Sequence, residues 1–232
     1  MIEKTVVKRE SIYYISLQRS KKFLTIDRFV CTTSKETSDT VVLPSYYTQR
    51  WGTDMLNKTK IWEAARATSA ATSFFDPITI GSETFVDGAT GANNPIQELM
   101  IEAYNLWSKK RPSWRIEDNL QCVVSIGTGM PSLKPFGDKL WDVPQTLLAI
   151  ATDTERTAEK WQRSHDTLFK EKRAFRFNVI SGLEDIALEE SKRQGDILAA
   201  TKRYIALQNV LDQMGDCAEN LQARECMSTM FL

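Results

Sequence analysis

The chain has 232 residues, with 30 Lys plus Arg balanced by 30 Asp plus Glu. Its 42% hydrophobic and 26% charged content is that of a folded protein able to bury a substantial core, which excludes a disordered chain. Zero net charge provides no overall field to draw nucleic acid, so no nucleic-acid partner is expected.

Cys31, Cys122, Cys217 and Cys226 show no CxxC pair or metal-ligand spacing, and His165 is the lone histidine. No metal site is expected from them, and the pattern fits reduced, mostly buried thiols in an intracellular protein. Residues Met1–Glu10 lack the apolar core of a signal peptide. No stretch reaches the roughly 20 apolar residues of a spanning helix. Any membrane contact is therefore expected to be peripheral, and the location cytoplasmic or at a membrane surface. Without an internal repeat, low-complexity tract or linker, residues 1–232 read as one domain.

In chain order, Ile12–Leu17 is β-prone within charged surroundings, and residues 29–33 read as a short strand before a polar turn over 34–40. Val41–Leu43 reads as a further strand ended by Pro44. Thr59–Ala71 reads as a helix capped by Thr59 or Asn57. Its Ala64, Ala65, Ala67, Ala70 and Ala71 either allow close approach to a neighbour or simply favour helix. Phe74-Phe75-Asp76-Pro77 ends it, because a residue before proline resists the α region.

Thr84-Phe85-Val86 then reads as a strand delivering Asp87 onto Gly88. In the helix that follows, Asn94 is placed to cap, Pro95 suits the first turn, and Gln97 can return the capping interaction. Ile96, Leu99, Met100, Ala103, Leu106 and Trp107 keep a helical period, and Arg111-Pro112 breaks it. Cys122–Ile126 is a continuous apolar run closed by Gly127-Thr128-Gly129, the pattern of a strand buried on both faces of a parallel sheet. Strand, helix, strand in this order points to an α/β sheet. Beyond Pro144 the pattern is helical near 144–170, 185–191 and 195–222, interrupted by an alternating strand over 174–179.

An aspartate at the mouth of a strand, just before a helix, is well placed for proton transfer, although Asp-Gly is also a common turn pair. Gly127-Thr128-Gly129 lacks the third glycine and the lysine of a phosphate loop, so it reads as a strand-end turn near the active-site mouth. His165 reads as solvated, Arg66 as a member of an ion pair, and Trp161 and Phe169 as core.

Five pieces in order resemble the patatin-like phospholipases, with closest similarity to the fungal branch. They are Trp62–Ala71, Phe74–Pro77, Val86–Ala89 with Asn93-Asn94-Pro95, Ser125–Gly129, and Phe175–Val179. The resemblance covers about residues 29–222. It implies a three-layer α/β/α sandwich with a helical C-terminal region. It also implies a lipid acyl hydrolase that uses a serine–aspartate dyad and needs no histidine, metal or organic cofactor. In that family the aspartate lies in Asp-Gly-Gly or Asp-Gly-Ala, which Asp87-Gly88-Ala89 matches. By this resemblance Asp87 is the dyad base, and Gly88, Ala89, Asn93 and Asn94 shape its turn. Such a base takes the proton that leaves serine a poor nucleophile, while backbone N–H groups stabilise the tetrahedral oxyanion.

The departure from the family is the nucleophile. Its glycine-rich oxyanion loop and Gly-x-Ser-x-Gly lie upstream of the segment matched here, and none of the 10 glycines of this chain frames a serine that way. Ser69, read inside the alanine-rich helix, and Ser82, read in a turn after Gly81, fall on no strand-to-helix elbow. Two expectations follow. In one, the chain is the C-terminal part of a hydrolase domain, incomplete at its N-terminal side, with an upstream segment or another chain completing the sheet. In the other, it is a non-catalytic lipid-binding or protein-interaction pseudoenzyme, with residues 1–29 repairing the sheet through Ile12–Leu17. Lipid or a membrane surface is the expected partner in both.

Overall fold

The computed structural model describes residues 12–17, 27–48, 50, 54–71, 74–108, 113, 115–130, 144–184, 186 and 190–227. They form two compact units, one within residues 22–116 and the other from residues 11–21 together with 117–232. Helices and strands are mixed in both, so the chain has α/β content.

The first unit is built on a four-stranded antiparallel sheet of order β3-β2-β5-β4, comprising β2 (Phe29–Ser34), β3 (Thr40–Pro44), β4 (Ile78–Ile80) and β5 (Glu83–Asp87). Val30 faces Leu43 and Cys31 faces Val42 across β2 and β3, and Thr33 faces Val86 across β2 and β5. The β4–β5 hairpin turns through Gly81 and Ser82, as the sequence indicated for Ser82, with Gly81 at φ 65°. β4 itself is too short to show a period in the sequence.

Two helices precede that hairpin, α1 (Asp54–Lys58) and α2 (Ile61–Ala67), where the sequence pattern suggested a single helix to Ala71. Neither Asn57 nor Thr59 caps α2. The Lys60 N–H donates to Glu63 Oε2 at 2.8 Å, so a glutamate in the first turn closes the helix start. The helix ends early because Thr32 and Asp87 draw off the carbonyls of Ala67 and Ala70. Ala64 and Ala67 lie against Val41, Leu43, Ile80 and Phe85, the core of this unit. Phe85 is fully buried there; truncating such a side chain to alanine costs about 3–5 kcal/mol.

Past Asp87 comes a single turn, α3 (Ala89–Ala92), and then α4 (Ile96–Trp107). Pro95 holds the cap position, one residue later than read, and the Asn94 side chain accepts the Ile96 N–H at 3.3 Å. Ile96 and Ala103 face inward as the period required, but so does Glu102, which is 1% exposed. Tyr46 donates to it at 3.3 Å and Arg50 approaches it at 3.9 Å. Burial and the Glu102 carboxylate together hold the Tyr46 phenol well above its ordinary range. The helix break read at Arg111-Pro112 lies outside the described residues.

The second unit holds most of a short turn of helix, α5 (Ile116–Asn119), and a three-stranded sheet of order β1-β6-β7. β1 (Ile12–Leu17) pairs antiparallel with β6 (Leu120–Ile126), and β7 (Ala174–Phe177) pairs parallel with it on the other side. The expected parallel environment of β6 is therefore half right: an apolar run reports burial, not the direction of its neighbours. β5 and β6 lie in different sheets, so α4 makes no crossover within one sheet.

α6 (Pro144–Ser164) and α7 (Asp166–Lys170) replace the one helix read over 144–170, divided at His165. His165 stacks on Trp161 with ring centres 4.8 Å apart, so it is half-buried and not the solvated residue expected. The segment read as helical over 185–191 lies largely outside the described residues. α8 (Gln194–Ile205) and α9 (Gln208–Met227) close the unit, α9 packing on β6 and β7. Cys122, Val124, Phe175 and Cys217 form the core beneath it. Among the described residues, no helix is long and apolar enough to cross a membrane.

Candidate active site

Asp87 is the last residue of β5, opposite Thr32 of β2. Its N–H donates to the Ala70 carbonyl at 3.1 Å, and its own carbonyl accepts the Thr33 hydroxyl at 3.0 Å. Thr32, fully buried beside it, donates its hydroxyl to the Val86 carbonyl at 2.7 Å and to the Ala67 carbonyl at 3.3 Å. The backbone carrying the carboxylate is thus tied to β2 on one side and to the end of α2 on the other. Oδ1 of Asp87 accepts the Ala89 N–H at 2.8 Å, which fixes the side chain over the first turn of α3. The residue is half-buried.

Gly88 serves this arrangement through its size. Its φ of −66° is open to any residue, but a Cβ there would lie 2.2 Å from the Cys31 carbonyl oxygen. The turn after the aspartate therefore presses directly on the β2 backbone. Ala89 opens α3, Asn93 closes it in right-handed geometry, and buried Asn94 holds the start of α4. All five residues named from the sequence therefore lie on one continuous strand–turn–helix path. Thr32 and Thr33 were missed, because hydroxyls on a β-branched strand carry no signal until the partner strand is known.

Ser69 has another engagement. Ser69 lies in the turn after α2, not inside a helix as read, and its hydroxyl donates to the Ala65 carbonyl. Arg66 donates to the Asp76 carbonyl at 2.7 Å and stacks on Phe75 at 5.2 Å, in place of the expected ion pair. A hollow of about 420 Å³ in this unit is lined by Thr37, Asp39, Thr40, Val41, Arg50, Glu83 and Glu98. Its wall is carboxylate-rich and does not include Asp87, which makes it a poor receptacle for an acyl chain.

The second unit carries a separate polar cluster at the ends of β6 and β7. Arg176 donates to Ser125 Oγ at 2.8 Å and to Glu155 Oε1 at 2.6 Å. Asn178 donates to the same glutamate oxygen at 2.9 Å, and accepts the Gly129 N–H at 2.7 Å. Gly129, at φ 112°, completes the strand-end turn read from the sequence. Arg176 and Glu155 are 51 and 30 residues distant from Ser125, beyond any motif spacing. Among the described residues, no group of His, Cys, Asp and Glu could hold a metal ion.

Among the comparisons with known proteins, the family match lies mostly within the first unit. Residues 16–100 match the family model described as patatin-like phospholipase. Over 136 residues, 58% of this chain, it is 34% identical to phospholipase A I of Arabidopsis thaliana, and the match covers 10% of that protein. Over 135 residues it is 30% identical to the calcium-independent phospholipase A2-gamma of Oryctolagus cuniculus, and equally to that of Homo sapiens. Each of these matches covers 58% of this chain and 16% of the relative. The chain thus spans a small part of the length of these relatives. The matched span contains Asp87, Gly88, Ala89, Asn93 and Asn94, and it is over residues 16–100 that this chain is similar to the patatin-like phospholipase family.

Proposed function

We propose that this chain supplies the aspartate half of a serine–aspartate lipid acyl hydrolase acting on ester bonds of glycerolipids. The observation that carries the reading is the tether of Asp87: a half-buried carboxylate pinned by the Ala89 N–H, on a strand end braced by Thr33 and Ala70. Such bracing suits a general base, which must hold its position while a proton moves. The base would take the proton of a serine hydroxyl as that oxygen attacks the acyl carbonyl. The proton would then pass to the leaving alcohol, and water would release the acyl group in a second round.

The chain has no Gly-x-Ser-x-Gly, so in our reading residues 1–232 do not hydrolyse esters unaided. A p-nitrophenyl butyrate assay on the purified chain is expected to give the buffer rate, unchanged in Asp87→Asn. Turnover abolished by Asp87→Asn, or by Ser69→Ala, would show that the chain holds its own nucleophile. The role of Asp87 is tested by joining the chain to an upstream segment bearing Gly-x-Ser-x-Gly. In an active fusion, Asp87→Asn is expected to lower kcat by roughly 10²–10⁴. A fusion equally active with asparagine removes Asp87 from the mechanism.

The second reading is a pseudoenzyme that binds lipid or protein without turnover. It is favoured by β1, whose six residues pair along β6 as a repairing strand would.

A further inference from the structure

Two thiols meet beneath α9. Cys122 lies on β6 and Cys217 on α9, both buried in the core they share with Val124 and Phe175. Their side chains share a hydrogen bond, and neither is in a disulfide. Polar contacts on each side fix the register of the helix over the strand. Gln121, the neighbour of Cys122, donates from Nε2 to the Asn220 carbonyl at 2.9 Å, and Asn220 donates to the Lys172 carbonyl at 2.6 Å. Lys172 pairs in turn with Asp216, the neighbour of Cys217, at 3.0 Å. Among the described side chains of α9, only Val210 and Cys217 are buried, so the helix has few apolar anchors of its own.

We propose that Cys122 and Cys217 form a redox latch: hydrogen peroxide joins them in a disulfide that staples α9 to β6, and a thiol reductant releases it. The thiols start in contact across an interface whose register is already fixed, so closing the bond asks for side-chain rotation and not a change of fold. The two sulfurs are not equivalent. Burial foremost pushes both thiols up, that of Cys122 to about 12, and the shared hydrogen bond adds to the rise at Cys122 but opposes it at Cys217. Cys217 is therefore the sulfur that loses its proton first. Its thiolate attacks one peroxide oxygen, the O–O bond breaks, and the leaving hydroxide takes up a proton to become water. Cys122 sulfur then attacks the sulfenic acid on Cys217 and gives up its own proton as the S–O bond breaks and a second water leaves. Two thiols are oxidised to one disulfide, and one peroxide is reduced to two waters. The product closes the long loop between residues 122 and 217, which restricts the unfolded chain.

The test is treatment of the whole native chain with hydrogen peroxide, then alkylation of the remaining thiols and non-reducing peptide mapping. A Cys122–Cys217 linked peptide is expected, removed by dithiothreitol, with a rise of roughly 5–15 °C in the melting midpoint. Cys122→Ala should leave Cys217 as a sulfenic acid captured by dimedone on unfolding, whereas Cys217→Ala should leave Cys122 unmodified. The mapping on the wild-type chain decides the matter even where a variant fails to fold. Linkage of either residue to Cys31 or Cys226 instead, or linkage only after unfolding in urea, overturns the proposal. So does an oxidised chain that melts where the reduced chain does. None of these readouts involves ester cleavage, so the outcome is independent of the role assigned to Asp87.

Discussion

Gly88 illustrates how one position can carry two meanings. In the sequence it marks a turn after an aspartate, whereas in the fold it is the point where that turn meets the Cys31 carbonyl. Gly88→Ala is therefore expected to destabilise the first unit by about 1–3 kcal/mol, read from urea midpoints, since the clash is with backbone that cannot rotate away. A midpoint equal to wild type would show that the two strands are looser than this geometry requires. A second residue-scale prediction concerns the thiols of Cys122 and Cys217. Both are buried and share a hydrogen bond; burial foremost, then Cys217, pushes the Cys122 thiol up to about 12. A folded pKa raised above the unfolded value of about 8.5 means that the unfolded chain releases its proton first. Stability is fully present below about pH 8.5 and is lost progressively toward pH 12. Replacing Cys122 with alanine should flatten that alkaline decline in thermal melts, and an unchanged slope would assign it elsewhere, with Tyr46 the next group to test.

At the scale of elements, α2 answers a question that its sequence leaves open. Alanine favours helix anywhere, but only packing distinguishes one alanine from another. Ala67 is fully buried against the sheet and Ala65 is exposed on the same helix. Ala67→Leu should cost about 1–3 kcal/mol by overpacking, and Ala65→Leu should stay within about 0.5 kcal/mol. Equal effects in denaturation curves would mean that propensity, not close approach, placed the alanines. The elements carrying the site were legible for a similar reason. β5 is a short β-prone run and α4 keeps an apolar period, and Asp87 to Asn94 falls between them, although the single turn α3 within that stretch was not read. What escaped was the end of α2: the carbonyls of Ala67 and Ala70 are diverted to Thr32 and Asp87, partners 35 and 17 residues away. Glu102 escaped likewise, a charge on an apolar face whose Tyr46 partner belongs to a distant loop.

For the whole molecule, β1 is the segment to probe. It covers one edge of β6, and without it a largely buried strand would present unpaired N–H and carbonyl groups. Removing residues 1–18 is expected to turn soluble chain into aggregate, measured by the fraction recovered after centrifugation. A truncated chain that stays monomeric with an unchanged melting temperature would show that β1 is dispensable. The β-prone run Ile12–Leu17 was visible in the sequence, but its partner was not, because it pairs with residues more than 100 positions away. The sequence alone determined the α/β class, the family resemblance, the position of Asp87 before a helix, and the lack of a framed serine, since each rests on local period or spacing. Only the tertiary structure decided that the strands divide between two sheets, that threonines of β2 brace the aspartate strand, and that α2 turns its large side chains outward. Those outcomes depend on which distant backbone groups and surfaces meet, and local sequence pattern holds no record of that.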